Sequence, residues 1–120
     1  MSKKILIIED EQTLVKALEQ VLKEQGYKVE VAIDGEEGWQ KITSFEPNLI
    51  LLDLILPKMD GFSVLRKMKE NNLTDKIPVV VITNLSDVGD KVLSLGAVDC
   101  LIKSDLSVDD IQGVIEKKLK

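Results

Sequence analysis

The sequence predicts an α/β fold in which helices cover both faces of a parallel β-sheet. Three short apolar runs, at residues 5–8, 49–52 and 79–82, are rich in branched side chains, as is typical of strands buried on both faces. Between these runs, apolar residues recur with the three- to four-residue spacing of helices. With 120 residues, 44% of them hydrophobic and 31% charged, the chain has the size and composition of one globular domain.

Two weaker patterns complete the predicted sheet. Residues 28–31 alternate between polar and apolar side chains, which is typical of an edge strand, and residues 100–102 form a short fifth strand. Five strands that alternate with five helices predict a doubly wound, three-layer sandwich with right-handed crossovers. For this length we expect the flavodoxin-like strand order 2-1-3-4-5, which places the alternating strand at the edge beside the first.

The predicted helices are marked by the residues at their ends. Gly26 stands where a glycine commonly follows a helix, and Pro47 ends the second helix. Gly89 lies inside the predicted fourth helix and weakens it by about 1 kcal/mol relative to alanine. Asp60-Gly61 is interpreted as a turn and helix start, with the third helix running from about Ser63. The remaining signals are polar residues at the expected helix starts, namely Asp34, Ser86 and Ser107.

The composition excludes several classes of function. An excess of 21 acidic over 16 basic residues gives a net charge of −5, which argues against a nucleic-acid partner. The absence of histidine excludes serine–histidine triads, histidine zinc sites and a histidine phosphoacceptor. The single Cys100 excludes an internal disulfide, and the four apolar residues before Glu9 are too few for a signal peptide or a membrane span. We therefore expect one cytoplasmic domain over residues 1–120, with no output domain and no membrane partner.

Chemically active side chains follow four of the five predicted strands. In doubly wound sheets, ligands bind outside the carboxyl ends of the strands, near the point where the strand order reverses. That point lies here between the first and third strands. The first strand ends in Glu9-Asp10-Glu11, the third in Asp53, the fourth in Thr83 and the fifth in Lys103. Packing does not require this set, so we interpret it as a candidate site.

The acidic members of the set predict a site for a hard cation. Two carboxylates about 5 Å apart repel each other by roughly 3 kcal/mol at an effective dielectric of ~20. Mg²⁺, which typically takes one or two carboxylates together with water and phosphate, would offset that repulsion with the help of Lys103. A carboxylate beside Mg²⁺, a hydroxyl and a lysine is also suited to accept a phosphoryl group, with Asp53 as the nucleophile.

These residues together resemble a known family. The pair Glu9-Asp10, the stretch 53–61 (Asp-Leu-Ile-Leu-Pro-Lys-Met-Asp-Gly), Thr83 and Lys103 resemble the receiver domain of two-component response regulators, and the resemblance covers the whole chain. It implies that a sensor histidine kinase or a histidine phosphotransfer protein phosphorylates Asp53. It also implies that the chain is a regulator rather than an enzyme, with only self-catalysed phosphotransfer and autodephosphorylation.

The same resemblance implies roles for the individual residues. Mg²⁺ is bound by Asp10, Asp53 and the backbone carbonyl of Ile55, with Glu9 acting mainly through water. Thr83 and Lys103 hold the phosphoryl oxygens. Phosphorylation then changes the face of the fourth helix, fifth strand and fifth helix, which binds a downstream protein target. A monomer is the expected state, with phosphorylation-dependent dimerisation as an alternative.

Three positions depart from the family pattern. Cys100 occupies the place of an aromatic side chain that usually switches rotamer, so that switch cannot operate in its usual form. Asn84 follows Thr83 where a small residue is usual, and it is expected to narrow access to the site. Ser104 follows Lys103 where a cis proline is usual. Because a non-proline cis peptide costs about 3–4 kcal/mol, we expect a trans bond there.

Two alternatives remain beside a phosphorylated regulator. A degenerate receiver would act as a phosphorylation-independent adaptor, which the three departures favour and the complete acidic, threonine and lysine set disfavours. An enzyme or cofactor protein of similar topology is the other. A flavodoxin would need a hydroxyl- and glycine-rich loop where Glu9-Asp10-Glu11 stands. A phosphatase of the haloacid dehalogenase type would need a second aspartate where Ile55 stands.

Overall fold

The computed structural model describes residues 2–120 and contains one parallel sheet. Its strands are β1 (Lys4–Ile8), β2 (Lys28–Ala32), β3 (Leu49–Leu52), β4 (Val79–Thr83) and β5 (Asp99–Ile102). They lie in the order β2-β1-β3-β4-β5, with all neighbouring strands parallel. The predicted order 2-1-3-4-5 is confirmed, and the alternating strand β2 lies at one edge.

Helices cover both faces of this sheet, as predicted. They are α1 (Gln12–Glu24), α2 (Gly35–Phe45), α3 (Gly61–Glu70), α4 (Gly89–Ser94) and α5 (Val108–Leu119), with a 3-10 turn at Lys103–Asp105. Side chains of α1 and α5 pack on one face, and those of α2, α3 and α4 pack on the other. Within residues 2–120, no helix is both long and apolar enough to cross a membrane.

The three apolar runs form the buried centre of the sheet. In β1, Ile5 and Ile7 face the layer of α1 and α5, whereas Leu6 and Ile8 face the opposite layer, and all four are fully buried. Strands β3 and β4 are buried in the same alternating way. Burial of each such side chain contributes about 1.5–3 kcal/mol, so this centre fixes the register that aligns the strand ends.

Two predicted helix starts are confirmed by their caps. The Asp34 side chain accepts a hydrogen bond from the Glu37 N–H at the start of α2. Ser107 and Asp110 form a reciprocal capping box at the start of α5. In both cases the cap supplies an acceptor for an N–H group that has no partner inside the helix.

The start of α3 agrees with the interpretation of Asp60-Gly61 as a turn and helix start, whereas the start of α4 differs from the prediction. Asp60 caps α3 by accepting the Ser63 N–H, and the helix begins at Gly61, slightly before Ser63. The prediction that Ser86 caps the fourth helix is wrong, because Asp87 has a left-handed backbone (φ 59°) that interrupts the helix path. Val88 is the N-cap instead, and its side chain makes no capping hydrogen bond. The helix α4 has only six residues.

Glycine substitutions test the packing of α2 against the loop that follows β3. A Cβ atom at Gly35 would overlap the Met59 carbonyl group, whereas a Cβ atom at Gly113, inside α5, would meet no other atom. We expect Gly35→Ala to lower the free energy of unfolding by about 1–3 kcal/mol through overpacking. Gly113→Ala should raise it by about 0.5–1 kcal/mol through helix propensity. Urea unfolding measures both, and equal effects would contradict this packing.

Candidate functional site

The ends of the two central strands bring the first acidic side chains together. Ile8 and Leu52 are register partners in β1 and β3, so the residues that follow them, Glu9 and Asp53, lie side by side. The Asp53 N–H donates to the Ile8 carbonyl at 3.0 Å, and the Glu9 N–H donates to the Ala32 carbonyl at 2.9 Å. These backbone bonds fix both carboxylates at the end of the sheet where the parallel strands finish.

Glu9, Asp10 and Asp53 form one acidic cluster. Each offers a carboxylate oxygen that lies within 4.8 Å of those of the other two. Glu9 and Asp53 are only 2% and 4% exposed, whereas Asp10 faces solvent. Buried charges at this separation repel each other strongly because little water screens them. The structure thus brings together the three acidic residues predicted at this site, and their crowding favours a neighbouring positive charge.

Lys103 supplies part of that positive charge. Its Nζ lies 2.6 Å from Glu9 Oε1, 3.1 Å from Asp53 Oδ2 and 3.2 Å from Glu11 Oε2. Burial disfavours its ammonium, but the contacts with the Glu9 and Asp53 carboxylates outweigh that effect and raise the pKa of Lys103. The sequence places Glu11 at the end of the first strand with Glu9 and Asp10 but assigns it no role, whereas the structure shows it in contact with Lys103.

Glu9 has capacity for a further positively charged neighbour. Burial raises its pKa, and the charge of Asp53 adds to that effect against the opposing contacts with Lys103 and the Glu11 N–H. Its Oε2 accepts the Glu11 N–H at 3.0 Å. Its Oε1 is buried and accepts no hydrogen bond of good geometry, despite the ion-pair contact with Lys103. This oxygen and the neighbouring carboxylates fit a hydrated divalent cation such as Mg²⁺, whose ligands are oxygens.

Backbone N–H groups hold Asp53 in a fixed orientation. Its Oδ1 accepts the Leu54 N–H at 2.7 Å and lies 3.4 Å from the Ile55 N–H, while its Oδ2 faces Lys103. Ile55 lies in the loop after β3, and its side chain is exposed. Thr83, at the end of β4, is fully buried, and its hydroxyl oxygen accepts the Leu85 N–H at 3.2 Å.

The positions of the three departures from the family pattern are also defined. The Lys103–Ser104 peptide is trans, as expected. The Asn84 side-chain oxygen accepts the Ser104 N–H at 2.8 Å, so both residues belong to one contact. Cys100 is half-buried against the α2–α4 side of the core, and burial together with the charge of Asp99 raises the pKa of its thiol.

A separate groove opens at the opposite end of the sheet. It has a volume of about 480 Å³ and a mostly apolar lining that includes Ile42, Pro47 and Ile77. These residues lie at the end of α2 and before β3 and β4. The groove is therefore far along the strands from the acidic cluster, and it is not the candidate site.

Comparison with known proteins decides the family. A family model described as "Response regulator receiver domain" matches residues 5–116. This chain belongs to the response regulator receiver domain family. The receiver is 42% identical over 102 residues to the response regulator ArlR of Staphylococcus saprophyticus, a match that covers 83% of this chain and 45% of ArlR. It is 41% identical over 113 residues to the response regulator PleD of Caulobacter vibrioides, covering 92% of this chain and 24% of PleD.

Solved structures agree over the full length of the receiver. A receiver domain from Bermanella marisrubri has a TM-score of 0.86 and 31% identity, with 100% of both chains covered. A CheY-like receiver domain from Methanospirillum hungatei has a TM-score of 0.88 and 30% identity, covering 99% of this chain and 94% of that one. The receiver spans less than half of the length of ArlR and about a quarter of PleD, so the match concerns one part of those proteins.

Charge substitutions test the crowding of the acids. Asp10 belongs to the cluster but makes no ion pair with Lys103 among the contacts of residues 2–120. Without divalent cations, we expect Asp10→Asn to raise the melting temperature, because it removes repulsion and breaks no pair. Lys103→Met should lower the free energy of unfolding by about 3–5 kcal/mol, since it leaves two buried carboxylates without their cation. Thermal and urea unfolding measure these effects. A lower melting temperature for Asp10→Asn would show that the acids are not crowded.

The raised pKa of Glu9 predicts a pH dependence of stability without divalent cations. A carboxyl group whose pKa is raised on folding binds its proton more tightly in the folded state, so its cost to stability grows as the pH rises through that pKa. The pKa of Glu9 lies above its ordinary value of 4.5. Glu9→Gln removes the titrating group. We expect the free energy of unfolding of the wild type, minus that of Glu9→Gln, to decrease as the pH rises from 4.5 towards neutrality. A pH-independent difference in urea titrations would contradict this assignment.

Proposed function

We propose that the receiver accepts a phosphoryl group on Asp53 from a phosphohistidine of a sensor histidine kinase or histidine phosphotransfer protein, in a Mg²⁺-dependent reaction. The observation that carries this proposal is the contact between Lys103 Nζ and Asp53 Oδ2 inside the cluster of Glu9 and Asp10. An oriented carboxylate with a fixed ammonium beside it is the arrangement that phosphoryl transfer needs, because charge develops on the phosphoryl oxygens.

The chemistry divides between the two partners. The chain contains no histidine, so the phosphohistidine belongs to the donor protein. A carboxylate oxygen of Asp53 forms a bond to phosphorus as the phosphorus–nitrogen bond to the donor breaks, and the leaving imidazole takes up a proton. Glu9, Asp10, Asp53 and the Ile55 carbonyl would hold Mg²⁺, which supplies charge neutralisation for the phosphoryl oxygens when bound. Lys103 adds its own positive charge at Asp53.

Thr83 would report the new group. Its hydroxyl oxygen accepts the Leu85 N–H, which leaves its O–H proton available to donate to a phosphoryl oxygen. A rotation of Thr83 towards that oxygen would break the bond to Leu85 and release the loop before α4. The region of α4 and β5 carries three exposed apolar side chains, Leu93, Val98 and Ile102, which suit a protein-binding face.

The proposal describes a regulator rather than an enzyme, located in the cytoplasm and acting through a downstream protein target. The names of the relatives support a role in regulation: ArlR and PleD are response regulators, and the PhoP protein of Bacillus subtilis is a transcriptional regulatory protein. The presence of every acidic, threonine and lysine residue of the site argues against a phosphorylation-independent adaptor.

Intact mass spectrometry tests the proposal. After incubation with acetyl phosphate and Mg²⁺, the wild type should gain the mass of one phosphoryl group, and chelation of Mg²⁺ should prevent it. Asp53→Asn should gain none, because the amide cannot act as the nucleophile. Asp75→Asn, an exposed aspartate in the loop before β4, is the matched control and should react as the wild type does. No adduct on a wild type that binds beryllofluoride would indicate slow access, and no adduct without such binding would favour the adaptor.

A further inference from the structure

One hydrogen bond joins two loops that carry the proposed phosphoryl ligands. Asn84 Oδ1 accepts the Ser104 N–H at 2.8 Å, although the two residues are 20 positions apart. A proline at position 104 would have no N–H to donate. The two departures at positions 84 and 104 are therefore the two halves of one contact.

This bond acts on the peptide next to Lys103. The Ser104 nitrogen belongs to the same peptide unit as the Lys103 carbonyl, which in turn accepts the Leu106 N–H at 3.4 Å within the 3-10 turn. On the other side, Asn84 lies between Thr83 and Leu85, which are themselves joined by a hydrogen bond. The contact thus ties the backbone of Lys103 to the segment that bears Thr83.

We propose that Asn84 is a positioning residue that holds Lys103 beside Asp53 by binding the Ser104 N–H, in place of the covalent restraint that a proline ring gives. The inference rests on the proposed function, because Lys103 must meet the phosphoryl oxygens for its position to matter. Lys103 has a long, flexible side chain with three carboxylate partners, so its aim depends on where its backbone is fixed. Fixing that backbone favours the geometry of transfer.

This role and a role in narrowing access predict opposite effects of the same substitution. If Asn84 only obstructs the site, Asn84→Ala should speed phosphorylation by a small donor. If Asn84 positions Lys103, the same change should slow it. We expect the rate constant with saturating acetyl phosphate and Mg²⁺ to fall about three- to tenfold, as for the loss of one hydrogen bond. The Mg²⁺ affinity, measured by calorimetry, should not fall, because the acidic cluster keeps all of its residues.

Asn48 provides a matched control. Its Oδ1 accepts the Lys4 N–H at 2.8 Å, so it also joins two distant backbone segments from an exposed position, but at the opposite end of the sheet. Asn48→Ala should cost a similar amount of thermal stability and leave the phosphorylation rate unchanged. If both variants slow the reaction equally, the effect of Asn84 is one of general stability and the proposal is wrong.

A double-mutant cycle with Ser104→Pro tests the partner of the bond. In that background the donor is absent, so Asn84→Ala should cause no further loss of rate; an equal loss in both backgrounds would overturn the assignment. If Ser104→Pro does not fold, the comparison of Asn84→Ala with Asn48→Ala still decides. A wild type without any phosphoryl adduct would refute the proposed function itself. A wild type that reacts, with Asn84→Ala as fast or faster, would refute only the role of Asn84.

Discussion

The interaction on which the site depends is the contact of one ammonium with two buried carboxylates. Glu9 and Asp53 lie side by side because β1 and β3 are paired in register, and the packing of the strands leaves them little exposed. Lys103, which follows the edge strand β5, contacts both carboxylates. Two buried negative charges without a neighbouring cation would destabilise the fold by several kcal/mol. The acidic residues that follow β1 and β3 therefore depend on Lys103 lying beside them.

The need to hold Lys103 beside these carboxylates explains why several contacts attach the β5 region to the rest of the sheet. β5 is a short edge strand whose residues are only partly buried, so the sheet alone holds it less firmly than β3 or β4. Lys103 joins it to β1 and β3, Asn84 joins its following turn to the end of β4, and Asp99 pairs with Lys118 of α5. The Asn84–Ser104 and Asp99–Lys118 contacts are both exposed to solvent, and exposed ion pairs contribute little. The largely buried contacts of Lys103 with Glu9 and Asp53 therefore contribute most of the polar stabilisation of this region.

The sequence predicted the sheet well because its signals are local. Branched apolar runs mark β1, β3 and β4, and alternation marks β2. The alternation of strands with helices predicts a parallel, doubly wound sheet, and the chain length favours the strand order 2-1-3-4-5. The residues of the acidic cluster followed from the strand ends, since parallel strands bring those ends to one edge. The start of α4 was not predictable in the same way. Ser86 has the type of a cap, and only the left-handed backbone at Asp87 excludes it from that role.

Contacts between loops were beyond sequence reasoning for a different reason. Asn84 and Ser104 each appeared as an isolated departure, because nothing in either residue type specifies the other as its partner. Glu11 likewise contacts Lys103 across 92 positions of sequence. Such pairs become visible only when the topology brings two loops together, and their effect on the site then depends on distance rather than on residue type.

The same loop connects the site with the surface that suits a partner. Residues 84–88 run from Thr83 to α4, a helix of six residues that has no side-chain cap. Two of the contacts that hold this segment, the Thr83–Leu85 and Asn84–Ser104 hydrogen bonds, involve or adjoin the proposed phosphoryl ligands. A short, weakly capped helix opens at a lower free-energy cost than the buried strands do. A change at Thr83 therefore has a local element of low stability to act on, even though Cys100 lacks the ring of the usual switch. In this receiver, the low stability of α4 favours movement of the loop at residues 84–88, whereas the hydrogen bond between Asn84 and the Ser104 N–H restrains the same loop.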